Sequence, residues 1–139
     1  METKWPLPVN EKQVVCEAIW YGQPYPAPRP RVVDGKAYND RKYTKAKKDL
    51  ADFLETMTRL TGVWNENILD AHFGVFCRFY RKGFVHCDKD NLEKTVYDAA
   101  TEAGIWNDDH QIAIGYEEKY YGSADPRTEI LIFTIQEVE

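Results

Sequence analysis

The sequence predicts a single α/β domain with the element order β-α-β-α-β-β. Three observations predict it. Four stretches carry strand patterns and two carry apolar residues at helical spacing. Glycine, proline and Asn/Asp clusters punctuate the stretches. A chain of 139 residues suits one domain and allows a real hydrophobic core.

The elements follow in order. Residues 1–12 read as a loose lead-in, because Pro6 and Pro8 oppose regular structure. Residues 13–21 predict a strand with Val14, Cys16, Ala18 and Trp20 on one face. Residues 22–35 predict a loop. Its Pro24, Pro26, Pro28 and Pro30 favour an extended path, and Arg29 and Arg31 flank Pro30. A helix is expected over 40–60, with Asn39 or Asp40 as cap and Gly62 as terminator. Tyr43, Ala46, Leu50, Phe53, Leu54, Met57 and Leu60 form its apolar stripe. Residues 68–80 predict a long strand, with Leu69, Ala71, Phe73, Val75, Cys77 and Phe79 inward and Asp70, His72, Arg78 and Tyr80 outward. Residues 81–87 form a loop in which Phe84 stands among Arg81, Lys82 and His86. An exposed Phe84 could stack on a base, and a tucked one would join the core.

The next helix starts at the acidic stretch 88–94, buries Leu92, Val96, Ala99, Ala100 and Ala103, and ends at Gly104. Residues 107–109 predict a turn. Residues 111–121 predict a strand with Ile112, Ile114, Tyr116 and Tyr120 on one side, and 122–126 a hairpin loop. The last strand, 128–138, is apolar on both faces from 130 to 135, as a central strand is. No repeat or low-complexity segment interrupts this order.

Composition narrows the function. Hydrophobic residues make up 43% and charged residues 29%, ordinary values for a globular protein. No apolar run approaches the roughly 18–20 residues of a membrane helix, and the first residues lack an apolar signal region, so a cytoplasmic protein is expected. Cys16, Cys77 and Cys87 are odd in number and lack CxxC spacing, which predicts reduced thiols. The net charge of −5 is unevenly spread. Residues 29–48 carry +6, and residues 98–139 carry −8. That polarity suits one face built for an anionic partner. Five of the residues 41–48 are basic, against the helix dipole, as expected of side chains that hold phosphates.

The chemistry concentrates at Asp88, Asp90, Asn91 and Lys94 and at the later Asn107, Asp108 and Asp109. Gathered carboxylates repel unless a cation lies between them, which points to a magnesium site for cutting nucleic acid. A purely structural account also exists. Asp88 or Asp90 can cap the helix, Asp90 with Glu93 has capping-box spacing, and residues 107–109 can be no more than a turn. Asp90, Lys94 and Asp98 share one helix face at i, i+4, i+8. An EF-hand fits poorly, and a P-loop is absent.

The pattern Asp88-x-Asp90-Asn91-Leu92-x-Lys94, then Asp98-Ala99, then Ala103-Gly104-Ile105-Trp106-x-Asp108-Asp109-x-Gln111 resembles the signature of the RusA family of Holliday junction resolvases. The resemblance implies one RusA-like endonuclease domain over 1–139, a small mixed sheet with flanking helices, and a homodimer. It implies that Asp88, Asp90 and Asp109 are catalytic and bind magnesium, for which manganese can substitute, and that Lys94 is needed for cleavage. Asn91, Asp98 and Asp108 are expected to be auxiliary. Arg29, Arg31, Arg41, Lys42, Lys45, Lys48, Arg81, Lys82 and Phe84 are expected to meet four-way junction DNA. The implied activity is paired, symmetric phosphodiester cutting in DNA recombination and repair. Alternatives are a less selective branched-DNA nuclease, an inactive junction-binding module, and a phosphatase with a DxD nucleophile. The last is disfavoured, because the pair starts a helix after a loop and does not follow an apolar strand directly.

Overall fold

The computed structural model of the chain describes residues 5–28, 31–33, 36–38 and 41–136. Its elements are β1 (Val14–Tyr21), β2 (Arg31–Val33), β3 (Lys36–Tyr38), α1 (Arg41–Thr61), β4 (Phe73–Tyr80), α2 (Lys89–Glu102), β5 (Ile112–Tyr120) and β6 (Arg127–Thr134). Single 3-10 turns, Glu66–Ile68 and Asp109–Gln111, precede β4 and β5. The four long strands form one mixed sheet in the order β1-β6-β4-β5. In it β5 runs parallel to β4, and the other pairs are antiparallel.

The expected α+β class and mixed sheet hold, but the element order needs correcting. Within the stretch expected to be loop, β2 pairs with β3, Arg31 opposite Tyr38 and Val32 opposite Ala37. Adjacent β-branched valines favour the extended pairing over irregular chain. The expected caps of α1, Asn39 and Asp40, lie outside the described residues. Its terminator is as expected: Gly62 takes φ +70, where a side chain would be strained.

One face of the sheet packs on both helices. Cys16, Phe73, Val75, Cys77, Phe79, Ile130 and Ile132 meet Leu50 and Leu54 of α1 and Leu92, Val96, Ala99 and Ala100 of α2. Each large apolar side chain buried there contributes about 1.5–3 kcal/mol relative to exposure. Leu60, expected in the stripe of α1, is exposed. The strand expected from residue 68 begins at Phe73. Asn65 accepts from the amide of Asn67 at 2.8 Å and starts a 3-10 turn in place of an extended segment.

The other face is apolar too, which the expected outward polar pattern missed. Phe76, Leu131 and Phe133 form a second cluster under Trp5, Val9 and Val14. Gly74 permits it: a Cβ there would lie 2.1 Å from the Phe133 ring. Register shifts move Val14 to this face and separate Ile112, packed on the helix side, from Ile114, Tyr116 and Tyr120. Residues 122–126 are not a hairpin loop. β4 lies between β5 and β6, so this segment crosses the end of β4. The strand apolar on both faces, β6, takes an interior place, and the polar β5 is left at an edge.

Candidate active site

The acidic stretch opens α2 at the end of the sheet where β4 and β5 finish. Its start is fixed from two sides. The Cys87 carbonyl accepts from Lys119 Nζ and from Tyr121 Oη, and the Cys87 amide donates to Tyr121 Oη at 3.1 Å. From the proline-rich segment, the Ala27 amide donates to the Asn91 carbonyl at 2.8 Å, and the Thr95 hydroxyl donates to the Tyr25 carbonyl at 2.7 Å. Burial pushes the Cys87 thiol above its usual range.

Asp88 occupies the N-cap position of α2, yet its side chain makes no capping bond. Its carboxylate instead meets His86 Nε2 at 3.0 Å. Asp90 and Glu93 form no capping box, because the N-cap is Asp88 and Asp90 already lies in the first turn; Glu93 instead meets Glu117 of β5. Asp90, Glu93 and Glu117 bring carboxylate oxygens to within 4.8 Å of one another. Burial raises the Glu93 carboxyl to about 7, reinforced by its bond to Glu117 and by the charges of Glu117 and Asp90. Tyr97 sits beside this group, its phenol pushed up by burial and by Glu93.

Asp109 lies at the other end of the same α2 face. Its neighbours are Asp108, Asp98 and Lys94, and sharing a hydrogen bond with Asp108 raises its carboxyl. Lys94 pairs with Asp98 at 3.4 Å, and Tyr43 of α1 donates to Asp98 Oδ2 at 3.0 Å. Among the described residues, then, Asp88, Asp90 and Asp109 do not converge within 4.8 Å as a trio; the group that does joins Asp90 to Glu93 and Glu117. Sequence reasoning missed those two. The available signal was an acid on the helix-facing side of β5, where Glu117 stands opposite Cys77.

The turn holding Asp109 is built by its neighbours. Asp108 caps it, accepting from the His110 amide at 3.2 Å, and this bond lowers its carboxyl. Buried Gln111 accepts from the amides of Asn107 and Asp108 and donates to the carbonyls of Leu69 and Ala71. Asp108 thus serves the turn and leaves Asp109 to face Lys94.

The cationic residues divide. Arg41, Lys42, Lys45 and Lys48 are exposed on α1, where Lys45 pairs with Asp49 at 2.7 Å and Lys48 with Asp52 at 3.6 Å. Arg81 turns inward, donating to the Pro24 carbonyl at 3.0 Å and tying the end of β4 to the proline-rich segment. Lys82 and Phe84 are exposed. Arg31 lies on β2, and Arg29 lies outside the described residues.

Carboxylates and a lysine along α2, next to a helix whose first half is basic, are groups that suit an enzyme acting on a polyanion's phosphates. Comparison with known families makes this specific. The family model described as endodeoxyribonuclease RusA matches residues 21–133, and the chain belongs to that family. It is an endodeoxyribonuclease, a hydrolase of DNA. No curated protein matches the chain at a significant level.

Proposed function

We propose that this endonuclease resolves four-way DNA junctions by paired cuts, acting as a homodimer with magnesium at the acids of α2. The observation that carries the proposal is the gathering of carboxylates at the start of α2. Asp88 stands at the N-cap without bonding the helix amides, and Asp90 meets two more acids. Acids in the first turn suit the helix dipole, but the dipole does not call for bringing Glu117 of β5 against Asp90 and Glu93, and carboxylates this close repel when ionised. Their hard anionic oxygens are the donor chemistry magnesium prefers.

The family resemblance gives the ion to Asp88, Asp90 and Asp109; of these, Asp90 stands in a converging group, with Glu93 and Glu117, so Asp88 and Asp109 would have to close on an ion held there. Bound there, magnesium would supply charge compensation for the phosphate and a more acidic water. The chain's own residues do the rest. Lys94, one turn beyond Asp90, donates to the phosphate or the departing oxygen. Asp98, held by Tyr43, keeps that ammonium on the α2 face. The exposed cations of α1 meet flanking phosphates and set the register of the DNA.

The test is nicking of a labelled synthetic junction, beside a linear duplex of the same sequence, with and without magnesium. Paired cuts in the junction that require the metal support the proposal. Equal cutting of both substrates favours a less selective nuclease. Binding without cutting leaves only a DNA-binding module.

A further inference from the structure

The loop between β4 and α2 ends in two adjacent large apolar side chains that the core does not take. Phe84 is 81% exposed and Val85 78%. Single exposed apolar residues are common and need no explanation, but this pair is mounted on a braced tip. The Gly122 amide donates to the Gly83 carbonyl at 2.8 Å, and the Ser123 amide to the Arg81 carbonyl at 2.9 Å. The Lys82 amide donates to Gln23 Oε1 at 2.8 Å, and Arg81 holds Pro24. The Phe84 ring lies over Gly122, where a Cβ would stand 2.7 Å from its Cζ. Three segments therefore support an aromatic ring in water.

We infer that Phe84, with Val85 behind it, is a wedge that stacks on a base at the branch point and selects junctions over linear duplex. The inference rests on the nuclease reading above, because it needs DNA at the acids. Phe84 precedes Asp88 by four residues, so their Cα atoms are at most about 14 Å apart. A strand lying across the acids rises about 3.4 Å per nucleotide. The ring thus reaches bases within about four nucleotides of the cut phosphate. Every base offers a π face, so an aromatic contact does not depend on sequence. Inserting it into an intact duplex costs the stacking of a base step. At a branch point that stacking is already interrupted, and the cost is least. The wedge therefore reads structure. Lys82 on the same exposed tip adds a cation beside the ring, and the rigid mounting avoids ordering the loop at each encounter.

The experiment places 2-aminopurine at the branch point of a synthetic junction and, separately, within a linear duplex, in metal-free buffer. Binding of the protein should lower the fluorescence of the branch-point probe, as the ring stacks on it, and leave the duplex probe unchanged. Phe84→Ala should abolish the drop and weaken the preference for junction over duplex about five- to hundredfold, with an unchanged melting temperature because the side chain is exposed. Phe84→Trp should restore both. An equal drop with Phe84→Ala overturns the wedge. If the parental protein cuts junctions in magnesium yet leaves the branch-point probe unchanged, the wedge alone fails. If it neither binds nor cuts them, the nuclease reading fails and takes the wedge with it.

Discussion

At the scale of single residues, asparagine separates a cap from a metal ligand. It is as good an N-cap as aspartate, so a structural acid survives the exchange. A magnesium ligand does not, because the ion loses an anionic oxygen. Asp88→Asn, Asp90→Asn and Asp109→Asn should each fold normally and cut junctions slower by orders of magnitude, in a single-turnover assay. Metal-free binding should persist. Lys94→Ala should lose cleavage without losing metal affinity, measured by calorimetry. Near-parental cutting by all three asparagine variants would remove the active site from α2. Glu93 adds a pH effect. Its folded carboxyl titrates near 7, above the unfolded value, so the folded state binds the extra proton. Stability from this group is complete below its unfolded range and is lost as pH rises toward and through about 7. Without metal, the melting temperature should fall over that interval, and Glu93→Gln should flatten the fall. Magnesium should restore stability at the alkaline end. Asp88, Asp90 and Lys94 were legible because helical spacing alone puts them at one helix start. Glu117 was not, because its approach to Glu93 depends on the register of β5 on β4.

At the scale of elements, period-3.6 apolar spacing located both helices, since each buries a stripe that its own sequence displays. The crossing of β4 by residues 121–126 had no local signal. A six-residue link between two strands reads as a hairpin unless a third strand competes for the partner, and β4 does so with its fully buried run from Phe73 to Cys77. The basic half of α1 makes its own prediction. It packs against α2, with Tyr43 reaching Asp98, so its exposed cations flank the acidic face. Each cation that meets a phosphate lowers the slope of log affinity against log salt by about 0.9 when removed. Replacing Arg41, Lys42, Lys45 and Lys48 together should weaken binding for all sequences and flatten that slope. Lys45 and Lys48 must first leave Asp49 and Asp52 to meet a phosphate. An unchanged slope would make this helix face a merely solvated one.

At the scale of the whole molecule, the sheet separates two kinds of surface. On the face away from the helices, Arg78 is committed to Glu118 at 2.8 Å and Arg127 to Glu129 at 3.0 Å. Each guanidinium also covers an aromatic ring, Arg78 over Trp5 and Arg127 over Tyr80. Cations engaged in this way have little to offer a phosphate, so DNA is expected on the helix side, where α1 and the acids lie. The sequence showed this polarity as a charge imbalance along the chain. It could not show which face each block would occupy, because that depends on how β1 and β5 came to be the edges. Among the described residues one group of acids converges, and resolving a four-way junction takes two opposed cuts. A C2 pair supplies them with one interface used twice and no second gene product. Light scattering at micromolar concentration should therefore give about twice the 16.2 kDa chain mass. Mixing parental chains with Asp90→Asn chains should yield heterodimers that nick one strand of a junction and leave its symmetric partner intact. Paired cuts from a strictly monomeric protein would show that one site visits both strands in turn, and the two-fold arrangement would then have no part in resolution.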